Sequence, residues 1–190
     1  METQLAVSRD GLKWTRYPRP AYIGVGEVDG YPIRRSYAGY GMVRRGRELW
    51  QYTYTRATYH DPYTKRAAPD VIHRLIQRVD GFVSADAPYT GGEFTTKPFR
   101  FTGNRLVLNV DTDAAGYAQV GLVDEAGQPI PGFSVDECIY VNGDEIDYPV
   151  EWLSKDRKRN NDVSALAGKT VRLVVRMRGT SLYALQFSQK

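Results

Sequence analysis

Short apolar runs, each closed within a few residues by Gly, Pro, Asn or Asp, restrict this chain to a fold built from strands. In residues 105–111, Leu106, Leu108 and Val110 alternate with Arg105, Val107, Asn109 and Asp111. In residues 171–178, Val171, Leu173, Val175 and Met177 alternate mostly with Arg172, Val174, Arg176 and Arg178. A period of two places one set of side chains on a single face. Further runs cover 93–101, 117–123, 139–141, 147–152 and 181–187. Turn signals stand between them at Thr102-Gly103-Asn104, Asp124-Glu125-Ala126-Gly127, Asn142-Gly143-Asp144 and Arg178-Gly179-Thr180. From about residue 82 the pattern predicts an antiparallel β-sandwich of jelly-roll type. Residues 162–166 read as one short helical turn before Gly168.

The first eighty residues are organised differently. Residues 5–11 and 75–81 are both strand-like runs that end in Asp-Gly, seventy positions apart, and two more runs, 39–45 and 48–56, lie between them. Three strands per period predict an arc of a radial array, a partial β-propeller, because one such unit cannot bury both faces alone. In detail, 2–8 is expected to pair with 12–17 through a turn at Asp10-Gly11, and 40–43 with 49–54 through Arg45-Gly46-Arg47. Residues 21–37 carry no period and predict a long loop, 59–69 a second polar loop, and 71–79 a strand. The whole chain is thus expected to be all-β, with a propeller part at 1–80 and a sandwich at 81–190. Open strand edges and one open apolar face would then meet upstream blades or another copy.

Composition narrows the function classes. Residues 1–80 hold 14 Lys and Arg against 8 Asp and Glu, and residues 81–190 hold 12 against 14. The basic groups Arg34-Arg35, Arg44-Arg45 and Arg47 have no nucleic-acid-binding motif around them and read as solvated charge, so no nucleic-acid partner is expected. No run approaches the roughly 18 apolar residues of a membrane helix, and no membrane partner is expected. The first thirty residues lack a signal-peptide layout; any export signal would lie upstream of Met1, which leaves the compartment open. A single cysteine, Cys138, falls in a strand-like run and is expected to be a buried, inert thiol. His60 and His73 lack partners at metal-ligand spacing. The acidic clusters Asp111-Thr112-Asp113 and Asp144-Glu145-Ile146-Asp147 read as solvated turns. With no phosphate-cradling loop and no nucleophile elbow, neither cofactor nor metal is expected.

Several ordered segments carry a family likeness. They include Gly39-Tyr40-Gly41-Met42-Val43 with Glu48-Leu49-Trp50-Gln51-Tyr52, Gln77-Arg78-Val79-Asp80-Gly81-Phe82, Gly91-Gly92-Glu93-Phe94, and Asn104-Arg105-Leu106-Val107-Leu108-Asn109. Pro129-Ile130-Pro131-Gly132-Phe133-Ser134, Leu166-Ala167-Gly168-Lys169 and Leu182-Tyr183-Ala184-Leu185-Gln186-Phe187 extend the series, and Ser-x-Asp-Gly-x-x-Trp at residues 8–14 adds a motif shared by many propeller glycosidases. On these segments the chain resembles the C-terminal portion of bacterial glycosyl-hydrolase-like proteins related to the five-bladed β-propeller families 32 and 43, a final blade followed by a C-terminal β-sandwich.

The resemblance implies a parent that binds or hydrolyses carbohydrate, and a piece that lacks most of the ring. Glycoside hydrolysis needs two carboxyl groups about 5–9.5 Å apart, and in such propellers they come from several blades. The chain alone is therefore expected not to be catalytic; Glu27 and Asp29, the carboxylates of the predicted loop, are its catalytic candidates in an intact parent. Sugar sites pair aromatic platforms with hydrogen-bonding groups. Nine of the 14 tyrosines lie in residues 1–80, and the carbohydrate-binding candidates are Arg34, Arg35, Tyr37, Tyr40, Tyr54, Arg56, Tyr59 and His60, in a cleft wall formed by 21–40 and 52–60. Trp50 is expected in the core. The alternative is a standalone, non-catalytic β module that binds carbohydrate or protein.

Overall fold

The computed structural model describes residues 1–16, 18, 20–58 and 68–189. The candidates Tyr59 and His60, and most of the second polar loop, lie outside the described residues. The protein is all-β; its only helical piece among those residues is a 3₁₀ turn, Ser164–Leu166, inside the segment expected to form one. It divides into two compact units, Met1–Val79 and Asp80–Lys190.

The first unit begins with hairpin β1 (Val7–Ser8) and β2 (Trp14–Thr15). Its turn is the Ser-x-Asp-Gly-x-x-Trp motif folded on itself. Asp10 Oδ1 accepts the amides of Leu12 (2.9 Å) and Lys13 (2.8 Å), Ser8 Oγ accepts that of Gly11 (2.8 Å), and the Trp14 indole donates to Gly11 O. Those amides, chiefly Lys13 and Leu12, hold the Asp10 carboxyl below its ordinary value. Such local bonding is the usual Asx-turn chemistry, and it gives the motif a structural explanation.

Three more strands follow where a long loop was expected: β3 (Gly26–Val28), β4 (Tyr31–Ile33) and β5 (Arg35–Ala38). β3 and β4 form a tight hairpin closed by Asp29 and Gly30, both at positive φ (50° and 77°), a two-residue Asp-Gly turn whose twist suits a hairpin. Alternation in strands this short is too brief to read. β6 (Val43–Arg45), β7 (Glu48–Arg56) and β8 (Val71–Arg78) then complete an antiparallel meander with β7 at its centre, β5 and β6 on one side and β8 on the other.

The inner face of this meander is polar. Ser36, Gln51, Thr53 and Thr55 are buried, and each finds an oxygen or amide partner. Thr53 Oγ1 donates to Tyr37 O, Thr55 Oγ1 to Val71 O, Ser36 Oγ to Ile23 O and Gln51 Nε2 to Gly39 O. The Tyr22 hydroxyl lies 3.2 Å from Gln51 Oε1 and 3.3 Å from Gln77 Oε1. Ile23 and Ile33 are the buried aliphatic cover.

The second unit is made of β9 (Ala85–Ala87), β10 (Gly92–Thr95), β11 (Arg105–Val123), β12 (Asp144–Pro149), the small hairpin β13 (Trp152–Leu153) with β14 (Arg159–Asn160), and β15 (Arg172–Ser188). Instead of two stacked sheets it forms one sheet curled into a half-barrel. The runs 105–111 and 117–123 are a single 19-residue strand, and the last two runs a single 17-residue strand. These pair antiparallel along their length, β9 and β10 flank β15, and β12 flanks β11. The inward residues Leu106, Leu108, Val110, Ala118, Val120, Leu122, Leu173 and Val175 are fully buried, and Val141, Val150, Trp152, Val163 and Val171 close over them. Trp152 donates to Val120 O (2.8 Å) and meets Phe133 edge-on at 5.3 Å.

The segment around Arg178-Gly179-Thr180 is thus no hairpin. Thr112 pairs with Thr180 and Tyr117 with Arg178, so residues 113–116 on β11 stand opposite Gly179 alone on β15. This large bulge bends both long strands and pushes Asp113 off the ladder.

Candidate functional site

The outward face of the first unit's meander brings four of the sequence candidates together, Arg35, Tyr37, Tyr54 and Arg56. Register places Arg35 opposite Arg56 and Tyr37 opposite Tyr54, while Ile72, Arg74 and Ile76 of β8 face Tyr54, Tyr52 and Trp50. The Tyr37 and Tyr54 rings are tilted at 6.0 Å. Arg35 is buried: its Nε donates to Thr58 O (2.9 Å), one terminal nitrogen to Thr58 Oγ1 (3.1 Å) and the other to the Tyr37 hydroxyl (3.4 Å). Asp70 accepts from the Tyr54 hydroxyl and pairs with Arg56 Nε at 3.1 Å. Sequence reasoning did not select Asp70; its link to Tyr54 and Arg56 becomes visible only once β8 is aligned beside β7.

Further along the same face, Trp50 is half-buried at the surface and not in a core. The Arg74 and Arg45 guanidinium carbons lie 4.3 and 5.2 Å from its ring centroid, and its indole donates to Glu48 Oε2 at 2.7 Å. Arginine stacking on an indole is favourable even in water, and here it ties down the only tryptophan of the sheet. Tyr52, Tyr54, Val43, Ile72 and Ile76 are exposed. Tyr40 is fully exposed.

The remaining candidates are placed elsewhere. Glu27 is exposed on β3, opposite Pro32. Asp29 sits in the hairpin turn, where its backbone conformation has a structural use. Arg34 offers its carbonyl to the Met1 ammonium at 3.0 Å. His73 packs its ring against Tyr31 at 5.7 Å.

The second unit carries a concavity on the side of the sheet away from its core. It has a volume of about 540 Å³ and is lined by Tyr89, Glu93, Tyr117, Arg176 and Arg178 with the backbone of residues 90–92. Tyr89 and Tyr140 are exposed, and Tyr140 packs against Tyr117 at 4.6 Å. Arg176 pairs with Glu93 (3.0 Å) and Asp136 (2.8 Å); Arg178 lies 5.8 Å from the Tyr89 ring centroid. Burial, then the neighbouring Asp113 carboxylate that accepts its hydroxyl, raises the Tyr89 phenol. None of these was selected from sequence, because the bulge that assembles them joins residues ninety positions apart.

Cys138 is buried. Its Sγ accepts the Val120 amide and donates to Ile139 O, and desolvation pushes the thiol up to about 11. Among the described residues no three His, Cys, Asp or Glu side chains gather as a metal site, and no helix is long and apolar enough to cross a membrane. The chain matches no family model, no curated protein and no solved structure.

Proposed function

We propose that the first unit is a propeller-blade-like element whose outward face forms one wall of a carbohydrate cleft, and that the second is an accessory half-barrel β module; the chain recognises sugar and does not hydrolyse it. The observation that carries this reading is the Tyr37, Tyr54 and Tyr52 row, bordered by Arg56 and Arg74 on one sheet face. Exposed phenol rings offer apolar platforms to the C–H faces of a sugar, and the guanidinium groups offer hydrogen bonds to its hydroxyls. The carboxylate on this face, Asp70, is committed to Tyr54 and Arg56, which leaves it a positioning role. Calorimetric titration of the full chain with neutral oligosaccharides should give binding that weakens about tenfold, roughly 1.4 kcal/mol, in Tyr52→Ala and Tyr54→Ala proteins with unchanged melting temperatures. Affinity indifferent to both changes would refute it.

A second reading rests on Val43, Ile72 and Ile76, which alternate with the aromatic groups as exposed aliphatic side chains. A contiguous apolar sheet face of this kind is also the surface on which another sheet packs. Concentration-dependent sedimentation abolished by Ile72→Glu and Ile76→Glu, with sugar binding absent, would favour that reading.

A further inference from the structure

We infer that the concavity of the second unit is a separate binding site for a neutral carbohydrate chain. Three independent features of residues 89–178 converge on it.

The first is a platform. Tyr89, which lines the concavity, and Tyr140, which borders it on the lining Tyr117 ring, are both more than half exposed (51% and 59%), and Tyr89 is held in place by Asp113 and Arg178. Planar rings fixed before a ligand arrives lose little conformational freedom on binding, which is what a weakly interacting sugar requires.

The second is charge already matched within the site. Arg176 is held by both Glu93 and Asp136, and Arg178 and Asp113 both act on Tyr89, the first 5.8 Å from its ring centroid and the second accepting its hydroxyl. Two guanidinium groups and three carboxylates therefore gather around Tyr89 and Arg176, so the surface offers many hydrogen-bond donors and acceptors with little net charge. A phosphate, sulfate or uronate would have to displace those carboxylates; sugar hydroxyls, which donate and accept, can bond to both members of each pair as they stand.

The third is how the site is built. Residues 113–116 bulge out of the ladder opposite Gly179, and this is what brings Asp113 to the Tyr89 ring. An added Cβ at Gly179 would lie 3.1 Å from Asp113 Oδ2 and 3.2 Å from Tyr89 Cε1. A bulge that re-aims a side chain beside a concavity is a recurrent device at binding sites. Nothing in the buried core uses Asp113, Tyr89 or Tyr140.

The inference stands on the second unit alone, so it holds or fails independently of the cleft wall proposed for the first. The test is backbone-amide NMR of the full chain with neutral linear hexasaccharides of glucose, xylose and mannose, and a polyuronate hexamer as the charged comparison. At least one neutral hexasaccharide should move the amides of residues 89–93, 113–117, 140 and 176–178 at millimolar concentration. Tyr89→Ala and Tyr140→Ala should each weaken that response about tenfold; Tyr54→Ala in the first unit should leave it in place. Should one variant fail to fold, the shift map of the parent protein decides alone. No response to any neutral hexasaccharide, shifts confined to residues outside this set, or a stronger response to the polyuronate would each overturn the inference.

Discussion

Replacing Gly116 by alanine should damage the second unit more than any other glycine change in its bulge. An added Cβ would lie 2.1 Å from Gly179 O and 2.9 Å from Arg178 O. Both obstacles are backbone carbonyls of β15, so no change of rotamer relieves them, and β11 and β15 must part where Thr112 meets Thr180. Overpacking of this kind costs about 1–3 kcal/mol. Loosening one or two hydrogen bonds nearby adds about 1 kcal/mol each, which brings the total to about 2–5 kcal/mol. For a unit of this size that lowers the melting temperature by about 8–20 °C. Two comparison variants separate sterics from backbone preference. Gly127→Ala, at φ +83° with nothing within 4 Å, should show only the left-handed penalty of about 1 kcal/mol. Gly179→Ala combines φ +49° with side-chain neighbours that can shift, and should fall between the two. Calorimetry of the three proteins gives the ranking directly. A Gly116→Ala protein that melts no lower than Gly127→Ala would refute the close strand approach, and with it the geometry that delivers Asp113 to Tyr89.

Cys138 should resist thiol reagents in the native protein at pH 8 and react at once on unfolding, because burial holds its thiol neutral to about pH 11; rapid native labelling would contradict its placement. Glu137 accepts the amides of Gly132 and Ser134 and the Ser134 hydroxyl, and these bonds, led by the Ser134 hydroxyl, depress its pKa below 4.5. A depressed carboxyl adds stability that is fully present above its unfolded value and is lost as pH falls through the folded one. Being only partly buried, the group should contribute about 1 kcal/mol. The gap in melting temperature between the parent and Glu137→Gln should therefore narrow below about pH 4.5; a gap independent of pH would show that the carboxylate charge is not involved.

What could be read from the chain in advance follows the length and regularity of each signal. Alternation over Leu106–Val110 and Val171–Met177 marks the half-barrel core, and the hairpins at Asp10-Gly11 and Arg45-Gly46-Arg47 follow from turn chemistry. The division into separate strands near residues 112 and 179 does not, since a glycine that permits a bulge looks like a glycine that permits a turn. Trp50 likewise reads as core by its spacing alone; the cross-strand arginines that hold it at the surface lie five and twenty-four positions away. Of the binding candidates, Arg35, Tyr37, Tyr54 and Arg56 are neighbours through β-register, whereas Glu27 and Asp29 belong to a separate hairpin. The second unit's concavity left no trace in the sequence, because it is assembled from four segments.

The meander of the first unit hides threonine, serine and glutamine where most sheets hide valine and leucine. Exposing polar surface on unfolding lowers heat capacity while exposing apolar surface raises it, so this unit should have a small heat-capacity increment for its length. Its stability curve would be broad and shallow, yielding little to cooling, whereas the valine- and leucine-lined half-barrel should curve steeply and set the temperature of maximum stability on its own.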